Sequence, residues 1–229
     1  MTETVRIVIL GTGGNSVDIL DTLHDLNDVA GRATYECVGF LDDNEALWGS
    51  LRCGVKVLGP LAAAREFGDC RFVNGIGAPT SYLKKAAIIA KTGIALDRFA
   101  TIVHPTASVS RMATLGRGTV VYQHVTITSN AAVGDHVVIL PNSVVSHDVV
   151  VGDYTCIAGG ACISGGVRIG TACYIGTNSS IIGGVAVGDG CLVGMGSVVL
   201  ADVRAGTVVV GNPAKVLRRL PSESPEARK

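Results

Sequence analysis

The sequence predicts two units in one chain: an N-terminal α/β Rossmann-like domain with a short parallel sheet, then an all-β left-handed parallel β-helix. Three observations predict this. Every sixth residue from Val103 to Val199 is a branched aliphatic, and a strand, a glycine turn and a helix pattern open the chain. The third is composition: 48% of the 229 residues are hydrophobic and 30 are glycine, yet only 4% are aromatic. Ordinary cores use aromatics as their large fillers, so something aliphatic and regular must replace them here.

The first unit is expected over residues 1–98. Val5 to Leu10 (VRIVIL) reads as a buried strand running into Gly11-Thr12-Gly13-Gly14-Asn15-Ser16. Val17, Ile19, Leu20 and Leu23 then carry helical spacing, with Ser16 as the expected N-cap. Strand, glycine turn and helix form a phosphate cradle, because backbone N–H groups and the helix dipole face an anion there. A second strand, Tyr35 to Leu41, ends at Asp42-Asp43, placed for a ribose or base contact. A third, Arg71 to Ile76, ends at Gly77, and helices are expected around Leu61 to Phe67 and Ser81 to Lys91. Gly11, Gly13, Gly14, Asn15, Ser16, Asp42, Asp43 and Gly77 are therefore the candidate substrate-binding residues. Glycine turns also serve tight strand-to-helix connections, and that reading stays open. The unit is short for a dinucleotide and has Ser16 where GxGxxG ends in glycine, which favours a nucleotide-sugar.

The second unit is expected over 99–210. Seventeen consecutive sixth positions are Val, Ile or Leu, and the residue two before each is Val or small, as at Ala107, Thr119, Ser143, Thr155, Cys173 and Ser197. Residues i and i−2 of a strand share a face, so each hexad offers one large and one small inward group. Three hexads make one triangular coil, and the unbroken register leaves no room for an inserted loop. Glycine often follows the aliphatic, as at Gly116, Gly134 and Gly152, near an expected corner. Exposed end coils need capping, which the N-terminal unit and the segment 211–229 can supply.

Composition also limits the function classes. With 19 basic against 19 acidic residues there is no global field for nucleic acid or an acidic membrane. Seven cysteines with no CxxC read as small buried hydrophobes in a reducing compartment. No long apolar span or basic leader is evident, so a cytoplasmic protein is expected. The five histidines include no pair five residues apart, so no zinc site of the kind seen on some β-helices is expected.

The GxGG turn, the strand ending VGFLDD, His104-Pro105-Thr106-Ala107, the uninterrupted hexads, the pair His147-Asp148 and Gly211-Asn212-Pro213-Ala214-Lys215 together resemble the sialic-acid O-acetyltransferase and nucleotide-amino-sugar N-acetyltransferase family. The resemblance runs from Val5 to about Leu217. It implies acetyl-CoA as donor, no metal, a nucleotide-linked amino-sugar as acceptor, and a homotrimer with active sites between subunits. It also implies His147 as general base and Asp148 as its orienting partner. Independently, residues 18 apart stack on adjacent coils, which places Ser129, Gly165, Gly183 and Ala201 in line with His147. These small residues leave a groove for a pantetheine arm, with the Gly165 N–H free for the thioester oxygen; corner positions that simply prefer glycine remain the competing explanation. Cys156 stands where relatives often carry a second histidine near the acetyl group, so Cys156, Gly165, Gly183 and Ala201 are the candidate cofactor contacts. Asn15, Ser16 and Leu140-Pro141 also depart from the family pattern. The expected activity is N-acetylation of a nucleoside-diphosphate-linked 4-amino-sugar in bacterial glycan synthesis. O-acetylation of a sugar and non-catalytic nucleotide-sugar binding are the alternatives.

Overall fold

A computed structural model describes residues 4–220, so positions 221–229 of the expected tail lie outside the described residues. The chain opens with β1 (Val5–Leu10), α1 (Gly14–Ala30) and β2 (Tyr35–Leu41), followed by a hairpin of β3 (Leu51–Arg52) and β4 (Val55–Gly59), then β5 (Arg71–Asn74). The five strands form one sheet in the order β3-β4-β2-β1-β5. β1 lies between β2 and β5, parallel to both, with Ile9 opposite Phe40 and Val73. Only β3 runs against its neighbour, which makes the sheet mixed. The expected helices shorten to a 3-10 turn over Leu61–Glu66 and to Tyr82–Lys84 followed by α2 (Lys85–Ala90). The helix α1 begins one turn earlier than Ser16 suggested: Gly13 is the N-cap, with no side-chain cap, and Gly31 closes the other end in a left-handed conformation.

From Ile102–Val103 to Val198–Val199 the chain makes seventeen two-residue strands, β6 to β22, one in each hexad. They take turns among three parallel sheets, so each strand pairs with those 18 residues away, as Ile157 (β15, Cys156–Ile157) does with Ile139 and Ile175. This is a left-handed β-helix whose inward aliphatics form one column-like core, with Ile139, Ile157, Ile175 and Val193 fully buried. The small inward partners satisfy their own polar atoms: the hydroxyls of Thr119, Ser143 and Thr155 donate to the carbonyls of Gly134, Ala158 and Gly170. β23 (Thr207–Val210) continues one face, and β24 (Lys215–Arg219) folds back antiparallel at its edge.

Two six-residue registers maintain the coil. Fourteen residues at six-residue intervals from Gly118 to Gly196 have φ between +48° and +75°, including Asn130, Asn142, Asp148 and Asn178. Glycine, Asn and Asp tolerate this left-handed conformation best. The glycines that follow the inward aliphatics have a different cause. A Cβ on Gly116 would lie 2.4 Å from the Gly134 carbonyl, so close stacking of coils selects glycine there.

The N-terminal unit packs against the eight-stranded face of the prism. Ile7, Ile19 and Leu23 share a cluster with Ile102, Val120, Tyr122, Val138 and Cys156, all of them buried. Polar ties reinforce it: the Tyr122 hydroxyl donates to the Asn15 carbonyl at 2.8 Å, and His104 Nε2 meets Asp25 at 2.7 Å. His136 is buried edge-on to Phe99 and stacked on Tyr154. No helix among the described residues is long and apolar enough to cross a membrane.

Two predictions follow from this geometry. Ala172 is held at φ +48° while its N–H donates to Asp153. Ala172→Gly should therefore raise stability by about 0.5–1 kcal/mol in urea unfolding, the relief of left-handed strain exceeding glycine's entropy cost. Burial pushes His136 down to about 4, with Lys85 adding to the effect. The unfolded chain takes up this proton from about pH 6.5 downward, the folded chain only near 4, so stability is intact above that window and falls as pH drops through it. Urea midpoints should fall across this range, and fall less in His136→Asn.

Candidate active site

Two groups of residues gather on different faces of the prism. The first surrounds a cavity of about 390 Å³ where the glycine turn, the end of β5 and the prism meet. Gly11, Thr12, Gly13, Gly14, Asn15, Ser16, Asp42 and Gly77 line it, joined by Ala78, Pro79, Leu140 and Tyr174. The Gly13 carbonyl receives the Ser16 and Val17 N–H groups, so the Gly14 and Asn15 amides lead the helix without a capping side chain. They give the cavity a partial positive charge suited to a phosphate. Asp42 sits at the rim, accepting from Thr12 Oγ1 at 2.7 Å and from the Asn44 N–H at 2.9 Å.

Two of the expected contacts also make structural contacts. Asp43 is absent from the cavity lining: it accepts from the Leu61 N–H and from Lys91 Nζ at 2.6 Å, and the Lys91 ammonium holds its carboxyl below the usual range. Ser16 is fully buried, with its hydroxyl directed at the Leu10 carbonyl. It packs so closely on Gly75 that a Cβ there would lie 2.2 Å from Ser16 Oγ.

The second group lies on a corner of the prism, after the strand Val144–Val145. His147 Nδ1 is 2.8 Å from Asp148 Oδ2, both side chains are exposed, and Asn130 Nδ2 donates to Asp148 Oδ1 at 3.1 Å. The hydrogen bond from His147 holds the Asp148 carboxyl below its usual range, helped by Asn130. Asp148 occupies one of the left-handed turn positions, at φ +59°, which brings consecutive side chains round the corner toward each other. With Nδ1–H donating to the carboxylate, Nε2 carries the lone pair and can accept a proton.

The imidazole lies over Gly165, where a Cβ would stand 2.4 Å from Cε1 and 2.5 Å from Nε2. Above it, the Gly184 N–H donates to the Gly165 carbonyl, and Gly183 continues the strip of small residues. Ala201 lies farther along, on a separate cavity of about 550 Å³ at the C-terminal end of the prism. Cys156 does not join the strip. It is buried on the face covered by the N-terminal unit, beside Lys85 Nζ at 3.6 Å and directly beneath Gly77. Among the described residues no group of His, Cys, Asp and Glu side chains could hold a metal ion.

Residues 130–165 match the family described as bacterial transferase hexapeptide (six repeats), and residues 166–201 match the hexapeptide repeat of succinyl-transferase. No curated protein sequence matches the chain. Among solved structures, the acetyltransferase domain of PglB from Neisseria gonorrhoeae in complex with acetyl coenzyme A is 28% identical, covering 94% of this chain and 100% of that one, with a TM-score of 0.80. PerB from Caulobacter crescentus in complex with CoA and GDP-perosamine is 28% identical over 93% of this chain and 97% of its own, with a TM-score of 0.78. WeeI from Acinetobacter baumannii is 27% identical over 93% and 100%, with a TM-score of 0.78. The likeness to PglB, PerB and WeeI thus spans nearly the whole chain, and its prism carries the hexapeptide repeats of bacterial transferases.

Proposed function

We propose that the chain is an acetyl-CoA-dependent N-acetyltransferase whose acceptor is the amino group of a nucleoside-diphosphate-linked sugar, serving glycan biosynthesis. The observation that carries this is the whole-length likeness to PerB, crystallised with CoA and GDP-perosamine, in a chain with both an uncapped helix N-terminus facing a cavity and an exposed His-Asp pair. The cradle holds the diphosphate, with Asp42 at the nucleoside end and Leu140 and Tyr174 at the other wall. The amine lone pair attacks the thioester carbonyl carbon, and His147 Nε2 takes the proton released as the C–N bond forms. Asp148 keeps the ring oriented and stabilises the imidazolium. Gly165 N–H, which makes no hydrogen bond among the described residues, faces the developing oxyanion. The tetrahedral adduct then expels the CoA thiolate, which receives the proton. The acetyl group passes directly from sulfur to nitrogen.

The position of the two groups supports a homotrimer with sites shared between subunits. Leu140 and Tyr174 belong to the eight-stranded face, whereas His147 follows a strand of the six-stranded one. An acceptor seated in the cavity of one copy therefore reaches a His147 supplied by another, and Gly165 and Gly183 of that copy border the donor's path.

UDP-, GDP- and dTDP-linked 4-amino-sugars incubated with acetyl-CoA should release free thiol for one nucleotide and give an alkali-stable amide. Replacing His147 by Asn should lower turnover about 10²–10⁴-fold with nucleotide-sugar affinity unchanged; loss of binding as well would contradict the assigned role. Gly165→Ala should push the imidazole aside and cost about a hundredfold in turnover with the melting temperature held, since His147 is free to swing into solvent.

A further inference from the structure

Lys85 is the first residue of α2 and has no exposed surface. Among the described residues its ammonium has one hydrogen-bond partner, the Cys156 thiol at 3.6 Å, a weak acceptor for a group with three N–H donors. No Asp or Glu among the described residues acts on it, and it makes no ion pair. The titratable group that faces it from α2's packing partners is the thiol of Cys156 in β15; His136 of the prism also feels its field and is neutral above about pH 5. A buried ammonium without a carboxylate is costly, and replacing one by an apolar side chain is often neutral or stabilising. The charged form of Lys85 therefore needs a countercharge that the free protein lacks.

The place of Lys85 indicates where that charge comes from. A Cβ built on Gly77 would lie 3.9 Å from Lys85 Nζ and 2.7 Å from Cys156 Sγ. Gly77 lines the same cavity as the uncapped Gly14 and Asn15 amides, so Lys85 Nζ lies close behind the wall of the space assigned to the acceptor. We propose that Lys85 is the buried countercharge of the acceptor's diphosphate: the ligand's negative charge draws a proton onto the Lys85 amine as it enters the cavity. This rests on the nucleotide-sugar reading of the cavity and extends it to a residue that never touches the ligand. Burial lowers the proton affinity of free Lys85, and the arriving anion raises it again. Binding is then coupled to proton uptake, and affinity falls as pH rises through the value for the bound state.

The test is titration calorimetry of the full chain with UDP-glucose, GDP-mannose and dTDP-glucose, whose diphosphates do not titrate between pH 6.5 and 9. Each titration is run in two buffers of different ionisation enthalpy. The nucleotide that binds should take up a fraction of a proton, with affinity falling as pH rises across that range. Lys85→Met should keep or raise the melting temperature, bind about tenfold more weakly at the lower pH, and show neither proton uptake nor the pH slope. Binding by the wild type without proton uptake would overturn this inference alone, as would a Lys85→Met variant with unchanged affinity. A wild type that binds none of the three would overturn the cradle reading and the inference together.

Discussion

The constraint on which the rest of the molecule depends is the six-residue register of the prism. One inward aliphatic, one small inward partner and one left-handed turn residue recur in each hexad, and coils stack 18 residues apart. No single position is large, but each buried Val or Ile loses contacts above and below if the register slips, since a shift of one residue turns the inward set outward. That stack provides a rigid surface on which both halves of the proposed site are arranged. The His147-Asp148 geometry is a local expression of it: Asp148 falls on a left-handed turn position, and Gly165 lies beneath the imidazole because it is one coil away.

The same register fixes the acceptor side at a distance. Every third hexad presents its outward residue to one face, and there the series Ile102, Val120, Val138, Cys156, Tyr174 and Leu192 is apolar. The N-terminal sheet settles on it, and Tyr122 holds the Asn15 carbonyl while Tyr82 reaches the Gly190 carbonyl. The cavity wall is thus partly prism and partly sheet. Its polarity comes from backbone amides and its stiffness from the interface, which is how a chain with no net charge can offer the proposed anion site.

The prism was legible because a strict period in aliphatic residues has one physical solution, and the first βαβ pattern because a buried strand must be followed by a turn. Several features were less legible. The second register, Gly118 to Gly196, is written in Gly, Asn, Asp, His, Tyr and Ala together, and only the backbone reveals that these residues share one conformation. Ser16 resembles an N-cap in sequence, yet its hydroxyl is drawn inward by close packing on Gly75, leaving Gly13 at the helix start. Asp42 and Asp43 are adjacent just past the end of β2 yet point apart, one to the cavity and one to Lys91. Cys156 lies nine residues from His147 in sequence but on another face, because nine residues is half a coil. Lys85 gave no sequence signal at all; its isolation appears only once the two units are packed together.

The central claim is that the cradle of one copy and the His147 of another form each site, and subunit complementation tests it most directly. A Gly14→Phe chain would fill the cavity, since a Cβ at Gly14 meets open space, and a His147→Asn chain would lack the base. Each alone should be inactive. After subunit exchange the mixed assembly should recover about a quarter of the wild-type thiol release, the statistical share of interfaces that pair an intact cradle with an intact base. Mixed assemblies that form but stay inactive would contradict the account, because a site contained within one chain cannot be rescued by its neighbour.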